Sequence, residues 1–285
     1  MIEIFINDFM YYQIVTYKSL YQTIELKKKF QIYKGTLDSI FDDLIKILNK
    51  ENKSKKDLTI LAFHSPRIIR ALVDYKEDHP KDLRLLELLN EGISTSLEIY
   101  KHYDNSNTVE TIIKLRKDIE KIDPDILRSK LQQHPDEINL VVSEPLFSQA
   151  TVKKLQQIIG NEEAIMFAVG HGSLGIGLDI VLRYEELTGR NLTYYPIRFS
   201  RSEYKGYKDS KPCLTTAEIE SLHNDVKGKK IIVFDENHNT GRNITTVAKF
   251  ISEKVAQTHN VEIVYNANTG ITGKWAEIYH QKFGK

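Results

Sequence analysis

The 285-residue chain is short of the features that place a protein at once. It holds a single cysteine, Cys213, which rules out an internal disulfide and a multi-cysteine zinc site; the lone thiol reads as structural or surface and fits a reducing compartment. It also lacks charge of one sign: 40 basic side chains against 39 acidic ones leave a formal charge of +1, so no global field draws it to nucleic acid or a membrane. No apolar run approaches ~18 residues, and the start, Met1 to Asp8, carries acidic residues where a secretion signal has basic ones. The expectation is a cytoplasmic protein with no membrane segment. No internal repeat is evident.

What is present divides near Pro135 into residues 1–135, mainly helical and of unread role, and residues 136–285, an α/β domain. In the first part, residues 2–6 alternate briefly and suit an edge strand, while the Tyr-rich stretch Met10 to Tyr33 has no assignable pattern. Thr36 can cap a helix whose apolar stripe is Leu37, Ile40, Phe41, Leu44, Ile45 and Leu48. A charged linker, Asn49 to Asp57, leads to the apolar run Leu58 to Phe63, and Ser65-Pro66 then reads as a helix start with proline at the first helical position. Helices are expected over 67–76, 81–103 and 108–122, and Asp123-Pro124 opens one more that His134-Pro135 closes. The lysine-rich pieces, Lys27 to Lys29 and Lys50 to Lys56, read as solvated faces, since no aromatic residues interleave with the second.

After Pro135 short strands and helices alternate, which is the pattern of a parallel sheet with flanking helices. Strands are expected at Ile138–Val142, Ala164–Val169, Leu192–Phe199, Ile231–Phe234 and Val261–Tyr265. Helices are expected at Ser148–Ile159, at Leu174–Leu187, from Thr215-Thr216 to Val226, through Ile244, Val247, Phe250 and Ile251, and from about Trp275.

The most informative stretch is Lys229 to Ile244. Ile231 to Phe234 is a continuous apolar run suited to a strand buried on both faces, and two carboxylates, Asp235 and Glu236, stand at its carboxyl end. Thr240-Gly241 then opens a helix, whose amides and dipole would hold an anion. The combination suits a ligand with a phosphate at one end and vicinal hydroxyls or a metal ion at the other. The plainer alternative is an ordinary crossover with solvated carboxylates.

Four apolar residues, two acidic ones and a Thr-Gly turn resemble the phosphoribosyl-pyrophosphate (PRPP) motif of the type I phosphoribosyltransferases. The resemblance implies that Asp235 and Glu236 hold the ribose hydroxyls and Mg²⁺, and that Asn239, Thr240, Gly241, Arg242 and Asn243 cradle the 5′-phosphate. The family often has Asp where this chain has Asn239, and Thr or Ser where it has Asn243; an amide can hydrogen-bond but cannot take a proton. A second loop, Gly170 to Gly177, follows an earlier strand, and its glycines let a ligand approach the backbone at a helix start. By the resemblance its His171, Gly172 and Ser173 bind pyrophosphate, although the family often has Arg or Lys there. The family also has a flexible loop where this chain has Phe199 to Pro212, with Arg198, Arg201 and Lys205 as candidates to neutralise pyrophosphate. Trp275 lies where the family's hood recognises the base, and a packed helix anchor is the alternative; His238 stands inside the main motif. The resemblance spans residues 138–285.

The implied reaction is transfer of a 5-phosphoribosyl group from PRPP to a nitrogenous base, with release of pyrophosphate. A second class of function is a non-catalytic protein of the same fold, which binds PRPP or a nucleotide and acts through its helical half on nucleic acid or a protein partner. Homo-oligomerisation stays open. A third reading is a dinucleotide enzyme, because Gly170, Gly172 and Gly175 satisfy Gly-x-Gly-x-x-Gly. That reading lacks the acidic residue expected after the next strand, where Tyr194 to Ser200 offers Arg198 instead.

Overall fold

The computed structural model describes residues 35–105, 107–131, 145–170, 172–199, 211–236, 241–258 and 260–266. Several expected features lie outside these: the edge strand at 2–6, Lys27 to Lys29, His134-Pro135, the strand at 138–142 and the helix from Trp275.

The helical part comprises α1 (Leu37–Leu48), α2 (Lys55–Asp78), α3 (Arg84–His102), α4 (Asn107–Ile122) and α5 (Pro124–Arg128). Helix α1 forms as its stripe requires: Thr36 and Ser39 make a reciprocal capping box, and Leu37, Ile40, Phe41 and Leu44 are fully buried. Helix α2 corrects the expected break. It starts at Ser54, which forms a capping box with Asp57, and it runs straight through Pro66. Proline in a helix interior leaves the carbonyl four residues back without its amide. Here that carbonyl belongs to Ala62, and the Tyr100 hydroxyl of α3 donates to it at 2.7 Å. Ser96 donates to the Ser65 carbonyl at 2.8 Å, so α3 supplies polar partners to two carbonyls in the turn before the proline. The apolar run Leu58 to Phe63 is therefore helical, and the linker ends at Ser54.

The second part comprises α6 (Pro145–Ile159), β1 (Ala164–Val169), α7 (Ser173–Thr188), β2 (Leu192–Ile197), α8 (Thr216–Asp225), β3 (Lys230–Asp235), α9 (Arg242–Phe250) and β4 (Val261–Tyr265). The four strands are parallel in the order β2-β1-β3-β4, with Phe167 beside Tyr195 on one side and Val233 on the other. All six residues of β1 are buried, which matches its unbroken apolar sequence. Right-handed crossovers put α7 on one face of the sheet and α8 and α9 on the other, because β1 to β2 runs opposite to β2 to β3 and β3 to β4. Side chains agree: Tyr194 reaches the Leu174 carbonyl of α7, while its neighbour Tyr195 reaches Glu218 of α8. Gly177 lets α7 lie close on the sheet, since a β-carbon there would stand 2.7 Å from the Tyr194 ring.

The helical part packs on α7 through α2 and α3, and buried apolar residues of both parts form one continuous cluster. The observed architecture is an α/β fold, a helical N-terminal region followed by a parallel four-stranded sheet alternating with helices. Among the described residues, no helix is long and apolar enough to cross a membrane.

Candidate functional site

The strand order fixes where a ligand site can form. Crossovers leave β1 toward β2 and leave β3 toward β4, so the chain turns away in opposite directions above the carboxyl ends of β1 and β3. A crevice opens at such a switch point, and in open α/β sheets ligands bind there. The described residues at the start of both motif loops singled out from the sequence lie at this place: Gly170, Gly172 and Ser173 after β1, and Asp235 and Glu236 at the end of β3.

On the β1 side, the chain leaves the strand through Gly170, whose φ of 69° is left-handed, and enters α7 at Ser173. The Gly170 amide donates to the Ile197 carbonyl at 2.8 Å, which ties the turn to the end of β2. Gly172 is in helical conformation and α7 has no side-chain cap there. On the β3 side, Asp235 is the last strand residue, pairs in register with Tyr265, and is partly exposed, as is Glu236. Burial, and after it the charge of Asp235, pushes the Tyr265 hydroxyl above its usual range. Gly241, at φ 68°, opens α9 with its left-handed turn, and Ile244 and Val247 anchor that helix on the sheet. Arg242 is exposed and Asn243 is partly buried at this helix start.

The two loops meet. The Ser173 hydroxyl donates to Glu236 Oε2 at 2.7 Å and accepts from the Glu236 amide at 3.1 Å, across 63 residues of sequence. The Glu236 carboxylate lies directly on Gly172, where a β-carbon would stand 2.2 Å from Oε1. Gly172 and Ser173 are thus brought against the Asp235-Glu236 end of β3, while Gly241, Arg242 and Asn243 stand at the start of α9, the helix that follows β3 in the chain. His171, Arg201, Lys205, His238, Asn239, Thr240 and Trp275 lie outside the described residues.

Arg198 has a different setting from the one expected of a pyrophosphate ligand. It is buried at the end of β2, its Nη1 donates to Asp74 of α2 at 3.1 Å, and it also pairs with Glu77. Two carboxylates from the helical part therefore take up its charge. Its backbone bridges to Cys213, with the Cys213 amide donating to the Arg198 carbonyl at 3.0 Å, so the two ends of the 199–212 segment are pinned together. Just beyond, Glu218 accepts from Lys76 Nζ at 2.5 Å, from the Tyr195 hydroxyl at 2.5 Å and from the Thr215 amide at 2.7 Å. Neither set of partners was legible from sequence, because Asp74 and Lys76 sit more than a hundred residues from the groups they bind.

Mg²⁺ prefers oxygen ligands, keeps several waters and takes one or two carboxylates together with substrate phosphates. Adjacent, partly exposed Asp235 and Glu236 fit that demand. Among the described residues no three His, Cys, Asp or Glu side chains gather into a complete protein cage, so the remaining ligands would be water and the bound phosphate ester. No protein-family model, curated protein or solved structure matches the chain.

Proposed function

We propose that the chain binds PRPP with Mg²⁺ at the β1–β3 crevice and transfers its 5-phosphoribosyl group to a nitrogenous base, releasing pyrophosphate. The observation that carries the proposal is the junction of the two loops: a glycine-serine turn at one helix start and a pair of carboxylates at the adjacent strand end share a hydrogen bond at the switch point. Such a site can hold phosphate groups at two helix starts and ribose hydroxyls between them.

Breaking the anomeric bond develops positive charge on the ribose and negative charge on the departing pyrophosphate. Asp235 and Glu236 would hold the ribose hydroxyls and the metal, and Gly172 and Ser173 would bind the leaving group through amides and hydroxyl. The first turn of α9, at Gly241 to Asn243, would anchor the 5′-phosphate. Mg²⁺, when bound, would supply charge to the leaving group. Catalysis would rest on orientation and electrostatics, without a covalent intermediate on the protein.

A second reading is favoured by the buried ion pairs of α2 with the sheet part, Arg198 with Asp74 and Lys76 with Glu218. These link the helical half to both ends of the 199–215 segment, as a non-catalytic sensor that reports PRPP or a nucleotide would require. Pyrophosphate release across a panel of purine, pyrimidine and pyridine bases separates the two. Release with any base supports the transferase; silence with every base, together with tight PRPP binding, leaves the sensor. The Asn239→Asp variant extends the assay. If a base at that position limits turnover, the change raises it by up to about 10²- to 10⁴-fold.

A further inference from the structure

The Ser173–Glu236 contact has a consequence for how the site loads. Gly172 has φ −64° and ψ −32°, an ordinary helical conformation that does not itself call for glycine. What calls for it is space: a β-carbon would stand 2.2 Å from Glu236 Oε1 and 2.6 Å from its carboxyl carbon. Ser173 is fully buried, and its hydroxyl is engaged in both directions by the same residue, donating to the Glu236 carboxylate and accepting from its amide. The carboxylate thus rests on the uncapped first turn of α7, the place where the helix dipole favours negative charge. Arg198, the cation expected from the sequence at the end of β2, is engaged by Asp74 and Glu77.

We propose that this cradle is closed from within: Glu236 acts as an internal competitor for the diphosphate position, and a diphosphate group enters only when a divalent cation draws the carboxylate off Ser173. The proposal rests on the reading of the crevice as a PRPP site. Metal-free diphosphate would meet a like charge seated on the amides and hydroxyl it needs. A cation that takes carboxylate and phosphate oxygens together removes that conflict, since Mg²⁺ coordinates both at once. Glu236 then changes from competitor to metal ligand, so the same side chain excludes the bare anion and admits the metal complex.

The test is calorimetric titration of the full chain with sodium pyrophosphate, in chelator and in Mg²⁺, for wild type, Glu236→Gln, Glu236→Ala and Gly172→Ala. Each variant is checked for an intact fold by circular dichroism. Removing the carboxylate is expected to raise metal-free pyrophosphate affinity by about tenfold or more, as for loss of a like charge at a partly exposed site. Gly172→Ala, whose added methyl would fill space that the carboxylate and the diphosphate both need, is expected to show no such gain. The boost that Mg²⁺ gives to pyrophosphate binding should shrink in both Glu236 variants. Metal-free affinity that is unchanged, lower or undetectable in both Glu236 variants, or raised in Gly172→Ala, overturns the proposal. Failure of wild type to bind PRPP with Mg²⁺ counts against the parent reading, which the pyrophosphate comparison does not address.

Discussion

Replacing Lys76 by methionine tests the tie between the helical part and the sheet. Lys76 and Glu218 are 2% and 0% exposed, their side chains meet at 2.5 Å, and Glu218 also accepts from Tyr195 and Thr215. Methionine keeps most of the lysine's volume but leaves a buried carboxylate with two neutral donors and no counter-charge. Breaking a buried pair from one side costs about 3–5 kcal/mol; the two remaining donors place Lys76→Met near the lower end, about 3 kcal/mol. For a chain of this size that lowers the melting temperature by roughly 5 °C. Adding Glu218→Gln removes the stranded charge while an amide oxygen can still accept from Thr215. The double variant should therefore recover part of the loss, with a coupling of about 2 kcal/mol in a urea-denaturation cycle. Single variants costing less than about 1 kcal/mol, or a coupling near zero, would refute the buried-pair account.

Two further expectations concern the helical part. Tyr100→Phe removes the donor that serves the Ala62 carbonyl left over by Pro66, and should cost about 1–3 kcal/mol in chemical denaturation; a neutral effect would show that the carbonyl has another partner. The Lys50 ammonium first, and Ser54 second, hold the Asp57 carboxyl down at about 2, against an ordinary value of 3.8. A group whose folded value is depressed contributes stability above its unfolded value and loses it as pH falls, so about 1–2 kcal/mol should vanish between pH 4 and pH 2. Asp57→Asn should flatten that part of the stability profile.

Residue patterns carried the sheet because its determinants are local. Val261 to Tyr265 falls on the observed strand, and the stripe of α1 predicts its buried face, since strands buried in a parallel sheet and amphipathic helices write their period into the chain. Pro66 was misread for the opposite reason. The rule against proline inside helices is local, whereas the relief comes from Tyr100, which sits 38 residues from the carbonyl it serves. Arg198 shows the same limit at the site: its position after β2 was legible, but its partners on α2 were set by the packing of one half on the other. The site motifs were legible as two separate loops. Their junction through Ser173 and Glu236 depended on β1 and β3 being neighbours, which the order of strands along the chain does not state.

The most direct test of the central claim is calorimetric titration with PRPP, with and without Mg²⁺, on wild type and on the Asp235→Asn/Glu236→Gln variant. The account predicts saturable binding to wild type that depends on the metal. It also predicts loss of that binding in a variant whose circular dichroism spectrum and melting curve remain those of a folded protein. Absence of PRPP binding by wild type in Mg²⁺, or equal affinity in the variant, would contradict it.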